Sequence, residues 1–136
     1  MPKIVYDTRF FAEYFYSPDA TVLRKANDVI RKAEQGFVSA IVIHEVYQLV
    51  LKKEGRETAI LRTTILEKDF KIVNVNSEIA KSSAELRNKY KLSLADSIIA
   101  TTALSLKATC LTDDPHFKAV KEIKTAWIYK PDPSYS

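Results

Sequence analysis

The sequence predicts an α/β domain of three layers, with a central, mostly parallel five-stranded sheet covered by helices on both faces. Short β-branched runs alternate with longer segments of helical period. Each run is continuously apolar rather than alternating, as strands buried on both faces are. The 136 residues, 46% of them hydrophobic, suffice for one such core.

Strand one is "KIVY", closed by Asp7. "TRFFAEYFY" then winds as a helix until Ser17-Pro18, where Ser17 as cap and Pro18 at a first helical position open "DATVLRKANDVIRKAEQ". Its apolar stripe is Val22, Ala26, Val29, Ile30 and Ala33, and Gly36 is expected to end it. "FVSAIVI" reads as strand two. "HEVYQLVLKKE" is helical up to Gly55, and "ETAILRTTILEKDF" carries a further stripe through Ile60, Ile65 and Leu66. "KIVNV" reads as strand three, and from Ser77 the positions Ile79, Ser83, Leu86 and Tyr90 keep helical spacing. "LSLADSIIATTALSL" is the next helix, with Ser93 as N-cap and Asp96 at capping-box spacing. "ATCLT" is strand four, "DPHFKAVKE" a short helix opened by Pro115, and "TAWIY" strand five. Residues 1–130 form the expected domain, and 131–136 a short tail whose end, "DPSYS", is expected to fray.

Composition removes several classes of function. Charge interrupts every apolar run before the ~18 residues a membrane span needs, and "MPKIVYDTRFF" lacks a secretory layout, so no membrane and a cytoplasmic location are expected. Cys110 is the single cysteine, which rules out an internal disulfide and a cysteine-based metal site. Only Gly36 and Gly55 are glycines, too few for a P-loop or a Gly-rich dinucleotide turn. "HEVYQ" is no zinc motif, because Gln48 stands where a second His is required. The net charge of +4 is compatible with a polyanionic partner.

Ligands of such sheets gather outside the C-terminal ends of the strands, so the residues that follow each strand matter most. Asp7 follows strand one, Glu45 falls two residues past strand two in the first turn of its helix, and Asp113 and Asp114 follow strand four. Asp96 opens the helix that feeds strand four, and an antiparallel return brings it to the same edge. Each acid also has a purely structural reading. Glu45 would complement a helix dipole, Asp7 and Asp113 or Asp114 would cap helices, and Asp96 would complete a capping box. Together, though, such carboxylates repel by about 1 kcal/mol per close pair in water and about 4 at an effective dielectric of 20. A cation is expected among them, and oxygen-only ligands suit Mg²⁺ or Mn²⁺.

"YDTRFF", "SAIVIHEV", "LSLADSIIATTAL" and "LTDDPHF", in this order, resemble the PIN-domain nucleases, most closely the VapC-type toxin ribonucleases of toxin-antitoxin pairs. The resemblance runs from Lys3 to about Tyr129. It implies a PIN-like fold and a catalytic metal site of Asp7, Glu45, Asp96 and Asp114, with Thr8 and Thr112 as supporting hydroxyls. Thr112 and Phe117 frame Asp114 in the family pattern, and Asp113 is the adjacent competitor for that position. The implied reaction is endonucleolytic hydrolysis of RNA with Mg²⁺ or Mn²⁺. The implied partners are an RNA substrate, a cognate antitoxin protein and a second copy in a homodimer or higher homo-oligomer. The antitoxin and the second copy are expected at "RFFAEYFY" and the neighbouring helices, where Tyr16 and one further ring are left for the surface. Arg9, Lys52, Lys53 and Arg87 are the expected phosphate-binding residues.

Two alternatives use the same residues. A PIN fold kept only for binding would need no catalysis. A phospho-accepting receiver domain would need an Asp after strand three, where Asn74 and Asn76 stand.

Overall fold

The structure is a computed structural model and describes residues 3–33 and 35–128. Its elements are β1 (Lys3–Tyr6), α1 (Thr8–Tyr16), α2 (Ala20–Lys32), β2 (Gln35–Ser39), α3 (Ala40–Glu54) and α4 (Arg56–Asp69), then β3 (Lys71–Val73), α5 (Ser77–Tyr90), α6 (Leu94–Leu106), β4 (Thr109–Leu111), α7 (Pro115–Lys118) and β5 (Lys124–Ala126). The strands form one sheet in the order β3-β2-β1-β4-β5, and every pairing is parallel. The expected α/β architecture is therefore the observed one. Right-handed crossovers place the helices between β1 and β3 on one face and those returning to β4 and β5 on the other. The strand order turns back between β1 and β4, and at such a switch point the loops part and leave a crevice.

The sheet centre is dry. Ile4, Val5, Tyr6, Val38, Cys110 and Leu111 are buried, with Phe10 and Phe11 packed beside them. Burial pushes the Cys110 thiol well above its usual range, with Asp7 and Asp96 adding to the rise, so it serves as a small hydrophobe. Gly36 lies inside β2 rather than ending α2: a Cβ there would meet Phe70 Cδ1 at 3.0 Å and Tyr6 Cε1 at 3.1 Å. Its role is the close approach of these two rings.

Several element boundaries differ from expectation. Helix α2 starts later, capped by Asp19, whose side chain accepts from the Thr21 amide, so Ser17 is not its cap. The run "FVSAIVI" is strand only to Ser39. Ser39 accepts from the Ile41 amide at 3.3 Å and starts α3, whose Val42, Val46 and Val50 form one buried face. Burial at helical spacing here overrides the β-branched preference. In α4 the buried positions are Ala59, Thr63 and Leu66, while Ile60 and Ile65 face solvent. In α1 the rings of Phe10 and Phe11 are buried, and those of Tyr14, Phe15 and Tyr16 are half-buried. Tyr14, Phe15 and Tyr16 pack against the core, and Tyr16 is covered by Lys53 and Arg62 and bonded through its hydroxyl to Glu54. Tyr129, the end of the expected fifth strand, and the tail lie outside the described residues.

Candidate metal centre

Parallel register builds the centre. Tyr6 pairs with Leu111, and the Asp7 amide continues that ladder to Leu111 O at 3.2 Å. Asp7 and Thr112 are thus the next register neighbours, with side chains on the same face. The Thr112 hydroxyl donates to Asp7 Oδ2 at 2.7 Å and accepts from the Asp114 amide at 3.1 Å. Asp7 occupies the N-cap position of α1, yet its side chain caps nothing. Asp7 is buried, 3% exposed, and its carboxylate is held by Thr112 instead.

Thr8 opens α1 and donates to Glu45 Oε1 at 2.6 Å, tying α1 to α3. Because α3 begins at Ala40, Glu45 lies in its second turn rather than its first. The dipole effect fades within one turn, so the dipole reading of Glu45 loses its basis. Asp96 keeps its capping-box position, its amide bonded to Ser93 Oγ at 3.2 Å. The buried small side chains Ser97, Ala100 and Thr101 seat this helix within the fold.

Asp113 and Asp114 part company. Asp114 caps α7: its Oδ1 accepts from the His116 amide at 2.9 Å and lies 2.8 Å from the His116 ring Nδ1. Asp113 turns to the Arg9 Nε and forms an ion pair with it. Potential ligand atoms of Asp96, Asp114 and His116 all lie within 4.8 Å of one another. His116 is thus part of a cluster in which an exposed histidine on a short helix had no expected place. Its sequence signal is the Asp-Pro-His spacing, since an N-cap Asp bonds the amide two residues on and brings that residue's ring within reach.

The electrostatics are those of crowded carboxylates. Burial lifts Asp7 to about 6, with Asp96 and Glu45 adding to the rise and the bonds from Thr112 and Thr8 opposing it. Burial also lifts Asp96, helped by Asp114 and Glu45. For Asp114, burial pulls upward, but the His116 contacts and Arg9 outweigh it and the net direction is down. Hard carboxylate oxygens with one imidazole, carrying unneutralised negative charge, fit an octahedral Mg²⁺ or Mn²⁺ better than zinc or copper.

Of the four expected cations, Arg9 pairs with Asp113, and Lys52 lines a cleft of about 370 Å³ that shares Thr8 and Glu45 with the centre. Lys53 lies over the Tyr16 ring and Arg87 bonds Leu92 O, contacts that tie neither to the carboxylates.

A doubly wound parallel sheet with acids near its switch point places the chain among the open α/β domains whose ligands bind at that crevice. Within that class, the family model described as PIN domain matches residues 4–123. The chain belongs to the PIN-domain family. No curated protein matches the chain in sequence. Among solved structures it is similar to a toxin-antitoxin complex from Klebsiella pneumoniae, with 26% identity, a TM-score of 0.73 and coverage of 93% of this chain and 98% of that one. It is also similar to VapBC2 from Rickettsia felis bound to a promoter DNA fragment, with 17% identity, a TM-score of 0.75 and coverage of 92% and 98%. A third is VapC20 from Mycobacterium tuberculosis, a toxin that cleaves the sarcin-ricin loop, with 18% identity, a TM-score of 0.73 and coverage of 87% and 95%. The fold is that of the VapC toxins.

Proposed function

We propose that the protein is a metal-dependent endoribonuclease and the toxin of a type II toxin-antitoxin pair. Asp7, Glu45, Asp96 and Asp114 are the catalytic residues that hold Mg²⁺ or Mn²⁺. The observation that supports this reading is the grouping of Asp96, Asp114 and His116, whose ligand atoms lie within 4.8 Å of one another, with the buried Asp7 and with Glu45 near enough to act electrostatically on Asp96 and on each other.

When bound, the ion supplies a polarised phosphoryl oxygen and a water of lowered pKa. The chain's own residues prepare the place. Thr112 fixes Asp7, Thr8 fixes Glu45, Ser93 anchors the turn that carries Asp96, and His116 fixes Asp114. Rigid ligands cost no reorganisation when substrate arrives. Arg9 and Lys52 hold RNA phosphates beside Glu45, and Lys53 and Arg87 meet phosphates farther along the strand.

An antitoxin partner is supported by the toxin-antitoxin assemblies among the similar structures. The face it would cover is on α3 and α4, where Leu51, Ile60, Leu61 and Ile65 are 41%, 39%, 60% and 44% exposed. A homodimer and a cytoplasmic location complete the proposal. No helix among the described residues is long and apolar enough to cross a membrane.

The test incubates RNA with Mg²⁺ or Mn²⁺ and the native protein, Asp7→Asn or Asp96→Asn. Cleavage by the native protein alone supports the reading. Equal cleavage by all three points to a contaminant, and binding without cleavage by any of them points to a PIN fold used only for binding. Light scattering at micromolar concentration checks the dimer, which a monomer mass would reject.

A further inference from the structure

We infer that the cleft between α1 and α3 is the subsite for the single-stranded nucleotide next to the cleaved bond, and that Asp113 is its gate, a counterion on Arg9 that an RNA phosphate displaces. The inference rests on the ribonuclease reading above.

The cleft is lined by Thr8, Arg9, Glu45, Gln48, Leu49 and Lys52, among others, and holds about 370 Å³. That is the low end of the range for small-ligand sites, room for about one unpaired nucleotide. Its wall is chemically divided. Glu45 belongs to the metal centre, so whatever fills the cleft adjoins the reacting phosphate. Gln48 and Lys52 stand three and seven residues beyond Glu45 on α3, on the same helix face. Gln48 offers both a donor and an acceptor to a base edge. Leu49 gives an apolar surface for a sugar or base, and Lys52 and Arg9 supply positive charge.

Asp113 makes this cleft conditional. It has left the cluster that its neighbour Asp114 joins and is spent on Arg9. The pair is open to water, with side chains 55% and 35% exposed, so it is weak and easily exchanged. A phosphodiester offers Arg9 the same forked acceptor geometry as a carboxylate. Arg9 also feels the charges of Asp114 and Asp7, so it borders the acids as well as the cleft.

The experiment measures binding of a labelled single-stranded RNA by anisotropy at several salt concentrations, in the Asp7→Asn background so that nothing is cut. Arg9→Gln and Lys52→Gln are expected to weaken binding by about 5–10-fold each and to lower the salt slope by about 1. Asp113→Asn is expected to tighten binding by about 3–10-fold, and to lose most of that gain when Arg9→Gln is also present. A gain that persists without Arg9 overturns the gate, since it would reflect net charge alone. Unchanged binding in both cleft variants overturns the subsite. Duplex RNA that competes as well as single strand does the same. Native cleavage with an unresponsive cleft leaves the ribonuclease reading standing and this one refuted. The expected binding pattern without native cleavage rejects the ribonuclease reading and with it the placement beside a cleaved bond, and RNA that is neither bound nor cut rejects both. Circular dichroism confirms that each variant is folded.

Discussion

Thr112 Oγ1 donates to Asp7 Oδ2 at 2.7 Å across the β1/β4 pairing, and the same oxygen accepts the Asp114 amide. One buried hydroxyl therefore positions two of the acids at once. Thr112→Val is expected to cost about 1–3 kcal/mol, because a buried carboxylate and an amide lose their partner together. It should also push Asp7 higher still, since this bond is the strongest influence holding it down. Urea unfolding at pH 7 measures the loss, and Thr112→Ser, which keeps the hydroxyl, should recover most of it. A Val variant as stable as the native protein would show that the bond contributes nothing.

Asp7 itself gives a pH signature. Its folded pKa of about 6 stands above the ordinary 3.8, so between those values the native state binds more protons than the unfolded chain. Stability then falls as pH rises through that window, and the loss is complete above about 6. A rise of this size corresponds to at most about 3 kcal/mol. In EDTA, Asp7→Asn should therefore be more stable than the native protein at pH 8 and lose this advantage near pH 4. Mg²⁺ should narrow the gap at pH 8 by stabilising only the native protein. Parallel melting curves from pH 4 to 8 decide it, and a constant difference between the two proteins would refute the assignment.

Lys91 closes α5 in the left-handed region, with φ 59° and ψ 41°, where a side chain is strained and glycine is not. Lys91→Gly is expected to stabilise the fold by about 0.5–1 kcal/mol, the left-handed penalty less the added freedom of the unfolded chain. That corresponds to a rise in Tm of roughly 2–4 °C at this size. A fall in Tm would mean that the lysine side chain makes contacts worth more than the strain.

How much of this was legible in the sequence follows from what each signal depends on. The strands were readable because runs such as "KIVY" and "ATCLT" are apolar on both faces, a local property. The start of α3 was not, because "AIVI" has strand preference and only the burial of Val42, Val46 and Val50 together makes it helical. That error moved Glu45 by one turn without removing it from the crevice. The acids could be gathered on one edge because parallel strands share a C-terminal edge. Which oxygen meets which partner depends on register between β1 and β4, more than a hundred residues apart in sequence, and no local pattern carries it. The divergence of Asp113 and Asp114 is half of that kind, since Arg9 draws Asp113 from a distant part of the chain, whereas His116 holds Asp114 through a local contact that the Asp-Pro-His spacing carries.

That divergence separates the fourth acid by metal binding alone. Asp114 lies within 4.8 Å of Asp96 and His116 by their ligand atoms, whereas Asp113 is held at Arg9. An ion at 100 times its dissociation constant stabilises the folded state by about 2.7 kcal/mol, or roughly 10 °C in Tm for a domain of this length. Asp114→Asn should lose most of that Mn²⁺-induced rise, because the carboxylate charge is gone even though an amide oxygen remains to cap α7. Asp113→Asn should keep it, since Arg9 and not the ion is its partner. His116→Gln should fall between them if the ring only fixes Asp114, and as low as Asp114→Asn if its nitrogen is itself a ligand. Thermal melts of the four proteins with and without Mn²⁺ rank them, and a rise lost in Asp113→Asn but kept in Asp114→Asn would exchange the two roles.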